Sequence, residues 1–177
     1  NDAGTGTLDA ASNNTGFGHE VFDDLTSGDN NTGVGSQALA KLTTGGDNTA
    51  VGQNALDALT TADYNTAVGA NAGGALTTGA ANTAVGNDAL ETATTGAANT
   101  AIGAYALRVN TADNNTAVGN QAMIANTTGA NNVAVGTFAT DANTTGSENT
   151  SMGHASLSSN TTADANTADN EDEEGCL

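Results

Sequence analysis

The 177-residue chain has no proline, no tryptophan, one cysteine and only two basic residues, Lys41 and Arg108. Without proline, every segment keeps its backbone donors, as expected of a chain hydrogen-bonded to neighbours along most of its length. The lone Cys176 excludes an intramolecular disulfide and leaves an interchain bond or a reduced thiol. Two basic residues against 20 acidic ones give a net charge of −18. That balance excludes the basic footprint of a nucleic-acid binder. It also disfavours anionic lipid and reads most simply as a solvated acidic surface. No apolar run approaches the roughly 18 residues of a membrane span, so no membrane insertion is expected. No signal peptide is visible and the chain does not begin with Met, which fits a removed leader or an excised segment. Aromatics are 3% of the residues, and alanine supplies much of the 37% apolar fraction, which is little material for an ordinary globular core.

What is present is a repeat. Asn-Thr-Ala-Val-Gly stands intact from Asn48, Asn65, Asn82 and Asn115, with close variants from Asn14, Asn31, Asn99, Asn132 and Asn149. The starts are 17 residues apart except for one step of 16, between Asn99 and Asn115. Low-complexity disorder has no need of such a register, whereas a solenoid needs the same core and the same turns in every coil. Helix is disfavoured because Gly, Asn and Thr are weak helix formers. The expected fold is therefore all-β, a parallel β-solenoid or β-roll of about nine coils. At the usual strand spacing it forms a rod about 45 Å long. Residues 1–13 read as a partial first coil, 14–168 as the repeat domain and 169–177 as an acidic tail. The start shows no distinct cap, which implies further repeats upstream or a partner stacked on that end.

With positions counted from the Asn, Thr-Ala-Val-Gly reads as one short strand and the Ala-Leu pair at positions 8 and 9 as the start of a second. Thr-Thr-Gly forms the return turn. Val34, Val51, Val68, Val85, Ile102, Val118 and Val135 are read as one core column. Leu39, Leu56, Leu90 and Leu107 are read as another. The Asn column at position 1 suits either a side-chain amide ladder or a turn in the left-handed region. Strand parity puts positions 3 and 4 on opposite faces, so either Ala or Val must point away from the core. An outward Val column would be an apolar stripe needing a second buried surface, such as further copies about a common axis. A homo-oligomer or filament is expected on that ground.

Position 12 switches from Leu8, Leu25, Leu42, Leu59 and Leu76 through Ala93 to Asn110, Asn126, Asn143 and Asn160. Such tolerance suggests a column near a surface or corner, stickier in the N-terminal half. Asp169 falls where the Val column would continue, and Glu171, Asp172, Glu173 and Glu174 follow. A carboxylate in a dry core cannot offset its desolvation, so the solenoid is expected to end near residue 168.

Nothing resembles an active site, and neither catalysis nor a cofactor is expected. His19 and His154 lie eight coils apart, and Gly-x-Gly pieces such as Gly16-Phe17-Gly18 are repeat glycines rather than a phosphate loop. Asp29, Asp63, Asp113 and Asp164 recur in the return turn and are weak Ca²⁺ candidates. Asn13, Asn30, Asn114, Asn126, Asn143 and Asn160 head Asn-x-Thr sequons. The Thr column at position 2 invites comparison with hydroxyl arrays that order water, without their paired Thr-x-Thr.

The unit Asn99-Thr100-Ala101-Ile102-Gly103 resembles the strand of trimeric autotransporter adhesin heads, with a longer return. A closer similarity is to repeat arrays of bacteriophage tail fibres and related bacterial surface fibres. It extends over about residues 14–168 and includes the turn Asn126-Thr127-Thr128-Gly129. The resemblance implies a left-handed β-roll, often trimeric, in a structural and adhesive segment of an extracellular, cell-surface or virion fibre. Its implied partners are other copies of itself and a surface or glycan ligand.

Overall fold

A computed structural model describes residues 11–169. Leu8, Cys176 and the acidic cluster 171–174 lie outside the described residues. Ten short strands form one parallel sheet in strict sequence order. Their spans are β1 Thr15–Phe17, β2 Thr32–Val34, β3 Thr49–Val51, β4 Thr66–Val68, β5 Thr83–Val85, β6 Thr100–Ile102, β7 Thr116–Val118, β8 Val133–Val135, β9 Thr150–Met152 and β10 Thr167–Ala168. Registry is exact in the repeat frame, with Thr49 opposite Thr66, Ala50 opposite Ala67 and Val51 opposite Val68. The chain is thus an all-β solenoid of nine coils, with no helix among the described residues. Coil 1 starts at Asn14, coil 5 at Asn82, coil 6, the 16-residue one, at Asn99, and coil 9 at Asn149.

Each strand is short because glycine ends it. The position-5 glycines, Gly86 among them, adopt φ between +123° and +148°. A Cβ on Gly86 would lie 2.6 Å from the carbonyl carbon and oxygen of Gly103, one coil on. Both the torsion and the close approach demand glycine.

The Ala-Leu segment does not form the expected second strand. Positions 7 and 9 adopt positive φ, as in Gln37 (60°) and Leu39 (54°), or Asp88 (55°) and Leu90 (51°). In a strand, neighbours point to opposite faces; here the left-handed residue turns the chain so that Ala38 and Leu39 are both fully buried. Placing Leu in this region costs about 1–2 kcal/mol, and burying its side chain returns about 1.5–3 kcal/mol. Burial wins, and Leu39, Leu56, Leu90 and Leu107 form a buried column. Gly73 takes the same position at φ 61°, where Leu56 and Leu76 close over the missing side chain.

The core therefore consists of Ala at positions 3 and 8, Leu at position 9 and the residue at position 12. Position 12 is no surface corner: Leu25, Leu42, Leu59, Leu76, Ala93, Asn110, Asn126 and Asn143 are all buried. The column tolerates Asn because the amides pair with one another and with the turn. Asn126 Nδ2 donates to Asn110 Oδ1 (2.8 Å) and to the Gly129 carbonyl (2.8 Å), and Asn143 Nδ2 donates to Asn126 Oδ1 (3.0 Å).

The position-1 Asn column is a ladder, and the left-handed residue is the one before it, such as Asn30 or Asp47. Asn82 shows the pattern. Its Nδ2 donates to Asn65 Oδ1 (3.1 Å) and to the Gly96 carbonyl at the end of its own coil (2.9 Å). Its Oδ1 accepts from the Asn99 amide (2.9 Å) and Asn99 Nδ2 (3.2 Å). One side chain thus closes its coil and joins it to both neighbours. At about 1 kcal/mol net per bond, more where loss would strand a buried partner, this ladder is a main support of the rod.

Candidate functional site

The sheet has an inner and an outer face. Position 3 points inward, so Ala50, Ala67, Ala84, Ala101, Ala117 and Ala134 are buried. Positions 2 and 4 then share the outer face. Val34, Val51, Val68, Val85, Ile102, Val118 and Val135 are accordingly not core residues; they are partly exposed along the rod, Val51, Val68 and Ile102 the most. The core inside the strand is only wide enough for Ala, which leaves the branched residues outside. Phe17 (71% exposed) and Met152 (58%) stand at the two ends of this column. Beside it runs the position-2 column, Thr in every coil except for Val133. No charged residue occupies either position in the nine full coils, although the chain carries a net charge of −18.

Asp169 belongs to the same column and is exposed. Its carboxylate interrupts the apolar stripe rather than a dry core, which replaces the desolvation reason expected for the end of the repeat. The final strand, β10, stops at Ala168.

The turn carboxylates have a structural task. Asp29, Asp63, Asp113 and Asp164 each accept a backbone amide from the preceding coil, at Ser12 (2.7 Å), Gly46 (2.7 Å), Ala97 (2.8 Å) and Ser147 (2.7 Å). They are spread one to a coil, and among the described residues no three His, Cys, Asp or Glu side chains gather around one point. His19 is exposed beside Glu20, and the His154 ring packs edge-on against Phe138.

The sequons separate by burial. Asn13, Asn30 and Asn114 are exposed at the corner before the ladder and Asn160 is half-buried, whereas Asn126 and Asn143 are core ladder members closed to modification in the folded chain. Asn126 Nδ2 donates to the carbonyl of Gly129 three residues ahead, and the recurring Asn-Thr-Thr-Gly spelling is the signal that could have marked this column as internal.

Among the described residues, two ionisable groups depart from ordinary behaviour. Burial raises the Asp57 carboxyl, opposed by Lys41 and by the amides of Asp57 and Ala58. Glu91 raises the Arg108 guanidinium, whose Nε lies 2.6 Å from Glu91 Oε2 in the neighbouring coil.

No protein-family model, curated protein or solved structure matches the chain.

Proposed function

We propose that the chain is a non-catalytic structural and adhesive rod segment of an extracellular fibre, with its outer sheet face lying against other copies of itself. The observation that carries this reading is the uncharged Thr and Val face along the whole length of an acidic rod. A stripe of Val, Ile, Phe and Met left in water is unfavourable at roughly 25 cal/mol per Å² of apolar surface, and a second copy presents the same columns at the same spacing. The acidic side chains sit at the turns and corners, where they keep the remaining sides soluble. A bacteriophage tail-fibre shaft and a bacterial surface fibre are two settings for such a rod, and a tip or side contact with a surface glycan would supply adhesion.

Sedimentation of the whole chain tests the association. One discrete oligomer is expected, strengthened by salt, because screening weakens repulsion between acidic neighbours within a Debye length of about 10 Å at 0.1 M. Val68→Asp with Val85→Asp should yield folded monomers. A wild-type chain that stays monomeric at all salt concentrations overturns the reading.

A second reading is favoured by one observation: Thr at position 2 and Val at position 4 share a face in strict register. Such an array suits an ordered surface, either ice or a packed polysaccharide. Thermal hysteresis or retention on a polysaccharide matrix, lost in Thr66→Lys with Thr83→Lys, would support it. Full activity of that variant would remove it.

A further inference from the structure

The nine coils are not joined equally. At seven of the eight junctions between them, the first Thr of the return turn bonds to the matching carbonyl one coil on, through its amide and its hydroxyl. Thr26 N and Oγ1 donate to the Thr43 carbonyl (both 2.9 Å), and Thr77 N and Oγ1 donate to that of Thr94 (2.9 and 3.0 Å). The pattern resumes at Thr111, whose N and Oγ1 donate to Thr127 (2.8 and 2.9 Å). Between coils 5 and 6 it is missing, and Thr94 and Thr95 are exposed. The cause is the residue absent from coil 6, which shortens its return turn and withdraws the acceptor. Asn110 closes that shortened turn from within, donating to the Ala112 carbonyl at 2.7 Å.

The same junction holds contacts that no other has. Arg108 of coil 6 pairs with Glu91 of coil 5, the only ion pair between coils among the described residues. Thr92 Oγ1 adds a bond to the Arg108 carbonyl (3.0 Å), and the Arg108 guanidinium lies 5.7 Å from the centre of the Tyr105 ring. The sole arginine of the chain thus sits where the threonine ladder fails.

We infer that the coil 5–6 junction is the hinge of the rod, where it bends and opens first, and that Arg108 on Glu91 is the clasp that holds it closed. At the other junctions the return turns are held by neutral hydroxyl-to-carbonyl bonds, with carboxylates accepting from neutral amides at some corners. The clasp is the one direct ion pair between coils among the described residues, so this junction loosens most as salt rises.

Amide hydrogen exchange on the full chain tests this. Leu90 and Thr92 donate across the hinge to Ala106 (3.1 Å) and Arg108 (2.9 Å); Gly73 and Ala75 are their counterparts one junction earlier, donating to Ala89 (2.8 Å) and Glu91 (2.9 Å). Protection factors for Leu90 and Thr92 should be lower than for Gly73 and Ala75 and should fall further in molar salt. Glu91→Gln should lower them by about threefold to fivefold at low salt, the size of one part-exposed ion pair. It should also abolish their salt response. Inserting one Thr before Thr111 should restore the ladder and raise protection to the level of the neighbouring junctions. Equal protection at both junctions, or no change on Glu91→Gln, overturns the inference. Should the insertion variant fail to fold, the Glu91→Gln comparison decides alone.

Discussion

Coils 1 to 4 and coils 6 to 9 follow one backbone path and fill its centre with opposite chemistry. In the first group, position 12 is Leu25, Leu42, Leu59 and Leu76, stacked in a dry column. In the second it is Asn110, Asn126, Asn143 and the half-buried Asn160, each bonded to the carbonyl of its own turn. The C-terminal core also carries a buried hydroxyl pair, Thr140 with Ser151 at 2.6 Å, and Ser156 Oγ donates to the Ala168 carbonyl (3.0 Å). At position 12 the rod is thus stabilised by area removed from water at one end and by satisfied amides at the other, while the position-1 Asn ladder and the buried Ala columns run through both. A coil accepts either filling where its neighbours agree, because each side chain then meets its own kind above and below, and the small Ala93 separates the two kinds.

The sharpest way to break the comparison is Leu42→Asn. Its amide would lie between Leu25 and Leu59 with no ladder to join on either side. A loss of about 3–5 kcal/mol is expected, from the missing burial and the unpaired amide together, and denaturant unfolding would measure it. The reverse change, Asn126→Leu, should cost about 1–2 kcal/mol, because it takes one bond each from the Gly129 carbonyl, Asn110 Oδ1 and Asn143 Nδ2, while each keeps a second partner in Asn115, Asn115 and Gly146. A loss below that of Leu42→Asn tells whether mismatch in an apolar column is worse than mismatch in a polar one.

Joining the two chemistries is the next step. Thr140→Leu with Ser151→Ala removes both members of the buried hydroxyl pair and extends the apolar filling toward coil 9. It should stabilise the chain by about 1–2 kcal/mol, since replacing both partners leaves neither unsatisfied. Either single change alone should be less favourable than the pair, which a double-mutant cycle would read.

The smallest effect is electrostatic and belongs to the N-terminal group. Burial holds the folded Asp57 carboxyl above its ordinary value. The folded state therefore binds the proton more tightly than the unfolded state, and stability falls as pH rises through the carboxylate range. Asp57→Asn should accordingly flatten this part of the stability profile, with a gain near neutral pH and none in acid. A profile that is unchanged, or that steepens, would show that Lys41 outweighs burial.

The period, the parallel stacking and the position-9 Leu column were legible in the sequence, because in-register columns force like to lie on like. The direction of the Val column was not. Ala and Val alternate in either orientation, and only the narrow interior of the coil decided that Ala fits within. The second strand misled for a local reason: Gln37 and Leu39 do not announce a left-handed φ, and tertiary burial of Leu imposes it. Position 12 misled because a Leu-to-Asn switch reads as tolerance at a surface, when it is a change of ladder inside.

The sequence by itself determined that this chain is a solenoid, how many coils it has and where one coil is short, since those follow from spacing alone. Tertiary structure decided which columns face water, which asparagines are sealed from modification and which junction lacks its threonine bonds. Those outcomes depend on how closely successive coils approach, a distance fixed by the parallel backbone pairing and permitted by the position-5 glycines. No single repeat contains that information, because each coil is completed by the one beside it.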